Sequence, residues 1–191
     1  METVRKESAA RRKILDTASR LFYQHGIRAT GIDAVIEQAD VARMTLYKHF
    51  PSKEALVDAV LREAGGQICE SMASIFEDET LSPKDRILAI FDWQARILTS
   101  PEFRGCPFMN AVAESPERDS LSFGTAVAHK QKLQASIEHC VEGLAIAEPE
   151  LLTEQLVTLM DGASVRAQLG FGEAATKAAR AAAERLIEAA R

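Results

Sequence analysis

The stretch from Thr30 to Lys53, TGIDAVIEQADVARMTLYKHFPSK, constrains this chain most. It reads as two short helices around a tight turn, followed by a stop. Thr30 is placed to cap the first helix, and Asp33 three residues on completes a capping box for its free amides. Ile32, Val35, Ile36 and Ala39 recur at helical spacing and supply the apolar face of that helix. Asp40 tolerates the left-handed backbone a sharp turn needs. A second helix is expected from Ala42 to His49, and Pro51 forbids its continuation. Leu46 and Phe50 share one side of it, while Arg43, Met44, Thr45, Tyr47 and Lys48 are spread over the rest. A thin apolar stripe with hydrogen-bonding and cationic groups turned outward suits the recognition helix of a helix-turn-helix.

The net charge of −5 argues at first against nucleic acid, but it is unevenly divided. Residues 1–53 hold ten Lys or Arg against six acids, a balance of +4, and the rest hold thirteen against twenty-two, a balance of −9. A basic head on an acidic body attracts phosphates locally while the body discourages indiscriminate binding; merely solvated charges are the alternative. Arg11, Arg12 and Lys13 open a helix expected over residues 8–25, where they either reach a DNA backbone or sit in water as charge runs usually do. Ile14, Leu15, Ala18, Leu21 and Phe22 give that helix its packing face, and Gly26-Ile27 has the form of a Schellman stop.

The chain of 191 residues is 47% hydrophobic but only 6% aromatic, with much Ala, Leu and Glu, which predicts an all-α fold. Ser52 is placed to cap a long helix over 53–75, in which Gly65-Gly66 sacrifices about 2 kcal/mol of helix propensity relative to two alanines. The head is therefore set at residues 1–53, the connecting helix at 53–75 and a helical body at 76–191. Body helices are expected over 83–98, 106–113, 119–145, 149–169 and 173–190, with Pro101, Gly105, Pro107 and Pro116 breaking the middle. Phe91, Trp93, Phe108, Met109 and Phe123 gather apolar bulk there, with Gln94, Asn110 and His129 interleaved. That mixture suits a small-molecule pocket, and it also suits an ordinary core with satisfied polar groups. Leu152, Leu156, Leu159 and Ala163 stripe one late helix, and Ala178 and Ala182 lie on an alanine-crowded last one. Small side chains permit close approach to a second copy, although alanine also favours a plain solvent-facing helix.

Cys69, Cys106 and Cys140 are odd in number and widely spaced, so neither a disulfide framework nor a zinc site is indicated, and no cofactor is expected. Cys106 with His129 or His139 is the one nucleophile–base set that can be assembled. No nucleophile elbow, phosphate loop or carboxylate pair supports it, so the chain is not expected to be an enzyme. Beside Gly105 and a helix start, Cys106 is retained as a redox-sensing alternative. METVRKESAARRK lacks the apolar stretch of a signal peptide, and no later run is long enough to span a bilayer, so a cytoplasmic protein without membrane contact is expected.

The string Thr45-Leu46-Tyr47-Lys48-His49-Phe50, followed by Lys53-Glu54-Ala55-Leu56, resembles the DNA-binding region of the TetR (tetracycline-repressor) family of bacterial regulators over roughly residues 10–61. The resemblance implies a three-helix helix-turn-helix head followed by an effector-binding and dimerising bundle whose last two helices meet their copies in a four-helix bundle. It implies a ligand-responsive repressor that binds a double-stranded DNA operator as a homodimer. Thr30, Tyr47, His49 and Lys53 match positions that mostly grip the phosphate backbone, and Met44 and Lys48 lie among them. Arg43 has the forked donor that suits guanine, Thr45 reaches a thymine methyl or a phosphate, and Lys48 does either. A DNA-binding scaffold or occlusion factor without transcriptional control is compatible with the same head.

Overall fold

In a computed structural model of the chain, residues 8–115 and 117–190 are described; Arg5, Lys6 and Pro116, which enter the charge and helix-break readings, lie outside them. The described residues form helices joined by short loops, with no strand among them. In order these are α1 (Ala9–His25), α2 (Ile32–Ala39), α3 (Arg43–His49), α4 (Lys53–Phe76), α5 (Pro83–Leu98), α6 (Pro107–Glu114), α7 (Leu121–Glu142), α8 (Pro149–Arg166) and α9 (Gly172–Ala189). A π-helical segment, Ala167–Phe171, joins the last two and is broken at Gly170, where φ is 90°.

The residues fall into two compact units that are not consecutive in the chain. One comprises residues up to Ala64 together with Pro107–Val127; the other comprises Gly65–Cys106 and the residues from Ala128 onward. The boundary between these units lies inside α4, the helix expected to connect a head at 1–53 with a body from residue 76, at the Gly65-Gly66 pair, and a later segment joins the first unit.

In the first unit, α1 supplies Ile14, Leu15, Ala18, Leu21 and Phe22 to a core completed by Val35, Ala39, Leu46, Phe50 and Leu56. Burying each large side chain contributes about 1.5–3 kcal/mol. Gly26 ends α1 at φ 91° and ψ 153°, a region closed to residues bearing a side chain, while its N–H still donates to Phe22 O at 3.0 Å. The Schellman bonds expected there form one helix later. Asp40 is left-handed (φ 49°, ψ 57°), its N–H donates to Glu37 O at 3.2 Å, and Val41 N–H donates to Ile36 O at 3.3 Å. Three acids then hold the later segment on the head. Glu54 accepts Leu121 N–H at 2.9 Å, Asp58 accepts the Thr125 hydroxyl, and Glu114 accepts Arg28 N–H at 2.7 Å.

The core of the second unit takes Ile87, Ile90 and Phe91 from α5, Ile137 and Val141 from α7, and Leu152, Leu156, Met160 and Ala163 from α8. Ala175, Ala179, Ala183 and Ile187 complete it, a four-residue spacing that puts small side chains on the inner face of α9. Arg180 to Asp92 at 2.6 Å and Lys84 to Glu188 at 2.7 Å link α9 to α5. This core takes up part of the expected dimer stripe. Leu152, Leu156 and Ala163 are 2%, 0% and 4% exposed within their own chain, which leaves little of these three for a partner to touch, while Leu159 packs against the same core only partly buried. Ala182 is half-buried and Ala178 exposed.

Candidate nucleic-acid interface

The outer face of the helix-turn-helix follows from which residues α3 must bury. Leu46 and Phe50, 0% and 3% exposed, point into the first unit and fix the rotation of a helix only seven residues long. Most of the remaining α3 side chains are exposed. Arg43, Met44, Tyr47 and Lys48 form an exposed stripe at i, i+1, i+4 and i+5, with Met44 80% and Tyr47 40% exposed. Thr45 and His49 are half-buried along its edges. Ala42 stands at the start with no capping side chain, so the N-terminal amides of α3 receive no side-chain hydrogen bond from the cap position.

Charge is arranged around this stripe by ion pairs within the head. Arg43 is paired with Asp33 of α2, both exposed, which holds the guanidinium on the outer surface. Arg12 pairs with Asp16 and Glu63, attachments that raise its already high pKa, the Asp16 hydrogen bond most. Lys13 lies 3.4 Å from Asp40, and the Arg11 guanidinium stacks over the Phe50 ring at 5.2 Å. The basic run at the start of α1 thus has partners in the turn, α3 and α4, although Arg12 and Lys13 stay exposed.

The N-terminus of α4 lies next in sequence. Ser52 caps it as expected, its hydroxyl accepting Ala55 N–H at 3.0 Å. Lys53 is half-buried, and burial pushes its pKa below the ordinary lysine value, with attraction to Glu114 opposing the shift. A helix N-terminus with a lysine in its first turn favours an anionic oxygen.

Thr30 is the exception among the expected DNA contacts. Gly31, not Thr30, occupies the cap position of α2, and Asp33 completes no capping box there. Thr30 is 5% exposed and its hydroxyl donates to Gly26 O at 2.8 Å and to Leu21 O at 3.4 Å. The side chain braces the loop after α1 and gives no hydroxyl to a surface contact. The reason is the extended backbone at Gly31, which lets the loop tuck its last side chain under α1.

The expected pocket residues divide evenly between the units. Phe108, Met109, Asn110 and Phe123 belong to the first; Phe91, Trp93, Gln94 and His129 belong to the second. Phe91 is core, and Gln94 is committed to Met160 O at 3.0 Å and Ser164 Oγ at 3.2 Å. Met109 is 44% exposed. Of the second set, His129 lines an open cavity of about 320 Å³, formed by α4 and α7 with Cys69, Met72, Phe76, Lys132 and Leu133. Burial lowers the His129 pKa to about 4, helped by Lys130 and Lys132. The sequence reading missed the α4 side of this cavity because Ile68, Met72 and Phe76 look like any inner helix face. Cys106 is half-buried directly before α6, and burial raises the Cys140 thiol above its usual pKa.

Outward apolar groups of the second unit cluster on α8 and the segment after it. Leu151 and Val165 are each 51% exposed, Leu169 is 67% and Phe171 is 51%. Leu151 and Val165 lie on the outer side of α8, away from the buried Leu152–Leu156–Ala163 stripe, and Leu169 and Phe171 lie in the π-helical segment that follows.

Comparison with known proteins bears on the whole chain. A family model described as "Bacterial regulatory proteins, tetR family" matches residues 14–60, and one described as "Tetracyclin repressor-like, C-terminal domain" matches residues 83–183. The structure is similar to that of SCO4454, a TetR-family transcriptional regulator from Streptomyces coelicolor, with a TM-score of 0.91 and 30% identity, covering 96% of this chain and 90% of that one. The sequence is 25% identical to the HTH-type transcriptional regulator AcrR of Shigella flexneri, over 84% of this chain and 77% of that protein. It is 24% identical to the HTH-type transcriptional repressor DhaR of Mycobacterium sp. (strain GP1), over 83% and 82% of the two chains.

Proposed function

The chain belongs to the tetracycline-repressor (TetR) family of bacterial regulators and is a DNA-binding transcriptional regulator, and from that premise we propose how its own residues divide the work. The observation that carries the reading is the outward stripe of α3. Leu46 and Phe50 anchor the helix from behind, leaving Arg43, Met44, Tyr47 and Lys48 to face a major groove. Arg43 reads a base through its forked donors, and Thr45 touches a thymine methyl or a phosphate from the edge of the stripe. Tyr47, His49 and Lys53 fix the register on phosphates, with the capped start of α4 adding its positive end. Thr30 supports this from inside.

The protein acts as a repressor in the cytoplasm, as a homodimer on an operator with two half-sites. The dimer face is the outer one, Leu151, Val165, Leu169 and Phe171, since exposed apolar side chains gain by pairing with a copy. The effector is a small molecule held in the α4–α7 cavity, whose volume of about 320 Å³ accommodates a compact organic compound and whose His129 is neutral at physiological pH.

Sedimentation and DNA titration test the dimer directly. The wild type should run as a dimer and bind a full palindrome roughly a hundredfold or more tighter than an isolated half-site. Val165→Glu, a change on an exposed position, should yield folded monomer that loses this difference. Equal affinity of the wild type for palindrome and half-site would overturn the dimeric reading.

A further inference from the structure

A second cavity lies wholly inside the DNA-binding unit, between α1, α4 and α6, with a volume of about 110 Å³. Its walls are the apolar faces that hold the unit together: Phe22 from α1 and Val57, Val60 and Leu61 from α4, all buried. Ala64 leaves a gap in the α4 wall where a longer side chain would close the space. The remaining side is polar, with Tyr23, Asn110 and Glu114. The cavity is smaller than the apolar cavity of about 150 Å³ that holds benzene, and it is open on one side, so it takes a short branched chain or a single ring that is only partly enclosed.

Glu114 sets the chemistry of the ligand. One of its oxygens, Oε2, accepts Arg28 N–H at 2.7 Å. A carboxylate has about four lone-pair sites, so this bond leaves capacity for a further donor. Among the described residues Glu114 is the one carboxylate on the cavity wall and no cationic side chain lines the cavity; Lys53, outside the lining, attracts Glu114. An apolar enclosure with one acidic edge selects a compact hydrophobic cation over a hydrophobic anion.

We propose that this cavity is a binding site for small aromatic or branched-alkyl amines, with the apolar body against Phe22, Val60 and Leu61 and the ammonium directed at Glu114. The site is separate from the α4–α7 cavity assigned to the effector, and it lies in the unit that carries the recognition helix.

Calorimetric and thermal-shift titrations of the full-length protein with benzylamine, toluene and benzoate test it. Benzylamine should stabilise the wild type and bind about tenfold or more tightly than benzoate, with toluene between them. Ala64→Leu fills the gap without touching the carboxylate, and it should lower benzylamine affinity by about tenfold or more while leaving operator binding unchanged. Glu114→Gln retains an acceptor for Arg28 N–H and should abolish the preference for amine over benzoate. Failure of benzylamine to bind would overturn the proposal, as would binding that survives Ala64→Leu or equal binding of all three probes. None of these results would touch the assignment of α3, which rests on operator binding alone.

Discussion

Asp33 and Arg43 hold each other on the outer surface of the helix-turn-helix, and the weakness of that bond is what makes it useful. Both side chains are exposed, so the pair is worth about 1 kcal/mol or less, whereas a bidentate guanidinium–guanine contact is worth about 1–3 kcal/mol. On the proposed base-reading role, the guanidinium is positioned before DNA arrives and is released at small cost. His129 makes the opposite bargain. Burial and two neighbouring lysines keep it neutral in the folded chain down to about pH 4, while in the unfolded chain it takes a proton near its ordinary value of 6.5. The unfolded state therefore binds more protons between those limits, and stability falls as pH drops from about 6.5 to about 4, with no contribution from this group at higher pH. His129→Gln should remove about 1 kcal/mol of that acid sensitivity, allowing for partial exposure. Melting curves at pH 7.5 and 5 check this; an equal fall in both proteins would mean that His129 is not held neutral. Thr30 shows where residue-level reading stops. A threonine before an apolar-periodic run is a good cap by type, but only the packing of the loop decides whether its hydroxyl meets α2 or, as here, the carbonyls of α1.

Helices were the most legible level. The start of α5 at Pro83 and its end at Leu98 are readable from Ser82-Pro83 and the loss of periodicity, and the Ser82 hydroxyl caps Asp85 N–H at 3.1 Å. The other helices fall within a few residues of their expected bounds for the same kind of reason, local chemistry at their ends. Partnership between helices was not legible. Leu152, Leu156 and Ala163 are a recognisable stripe, yet periodicity alone does not say whether a stripe meets its own chain or a copy; α9, with alanines on its inner face, settles that it meets its own. The attachment of Pro107–Val127 to the head depends on Glu54, Asp58 and Glu114, each separated by more than sixty residues from its partner. The Gly65-Gly66 pair in α4 was visible as a weak point, and the boundary between the two compact units falls there. Gly66 is exposed, and a methyl group added to it meets nothing within 4 Å. Gly66→Ala should therefore stabilise the protein by about 1 kcal/mol and raise Tm by about 2–4 °C. A lower Tm in thermal unfolding would show instead that α4 needs the glycine to bend.

At the scale of the molecule, the chain separates reading DNA from everything else by charge as well as by packing. The first fifty-three residues carry a balance of +4 and the rest −9, so attraction to phosphate is local even though the whole is acidic. Within the basic part, Arg11, Arg12 and Lys13 of α1 hold partners inside the head, and α3 with the start of α4 is the surface proposed to face the groove. The central claim is that these surfaces act differently, Arg43 reading sequence and Lys53 gripping the backbone. Titration of wild type, Arg43→Ala and Lys53→Ala on operator and scrambled DNA at several salt concentrations tests this most directly. Arg43→Ala should lose about 1–3 kcal/mol per half-site on the operator and little on scrambled DNA. Lys53→Ala should weaken both about equally and reduce the salt dependence by roughly one unit per site. If Arg43→Ala matched the wild type on both DNAs, α3 would not enter the groove in the orientation described.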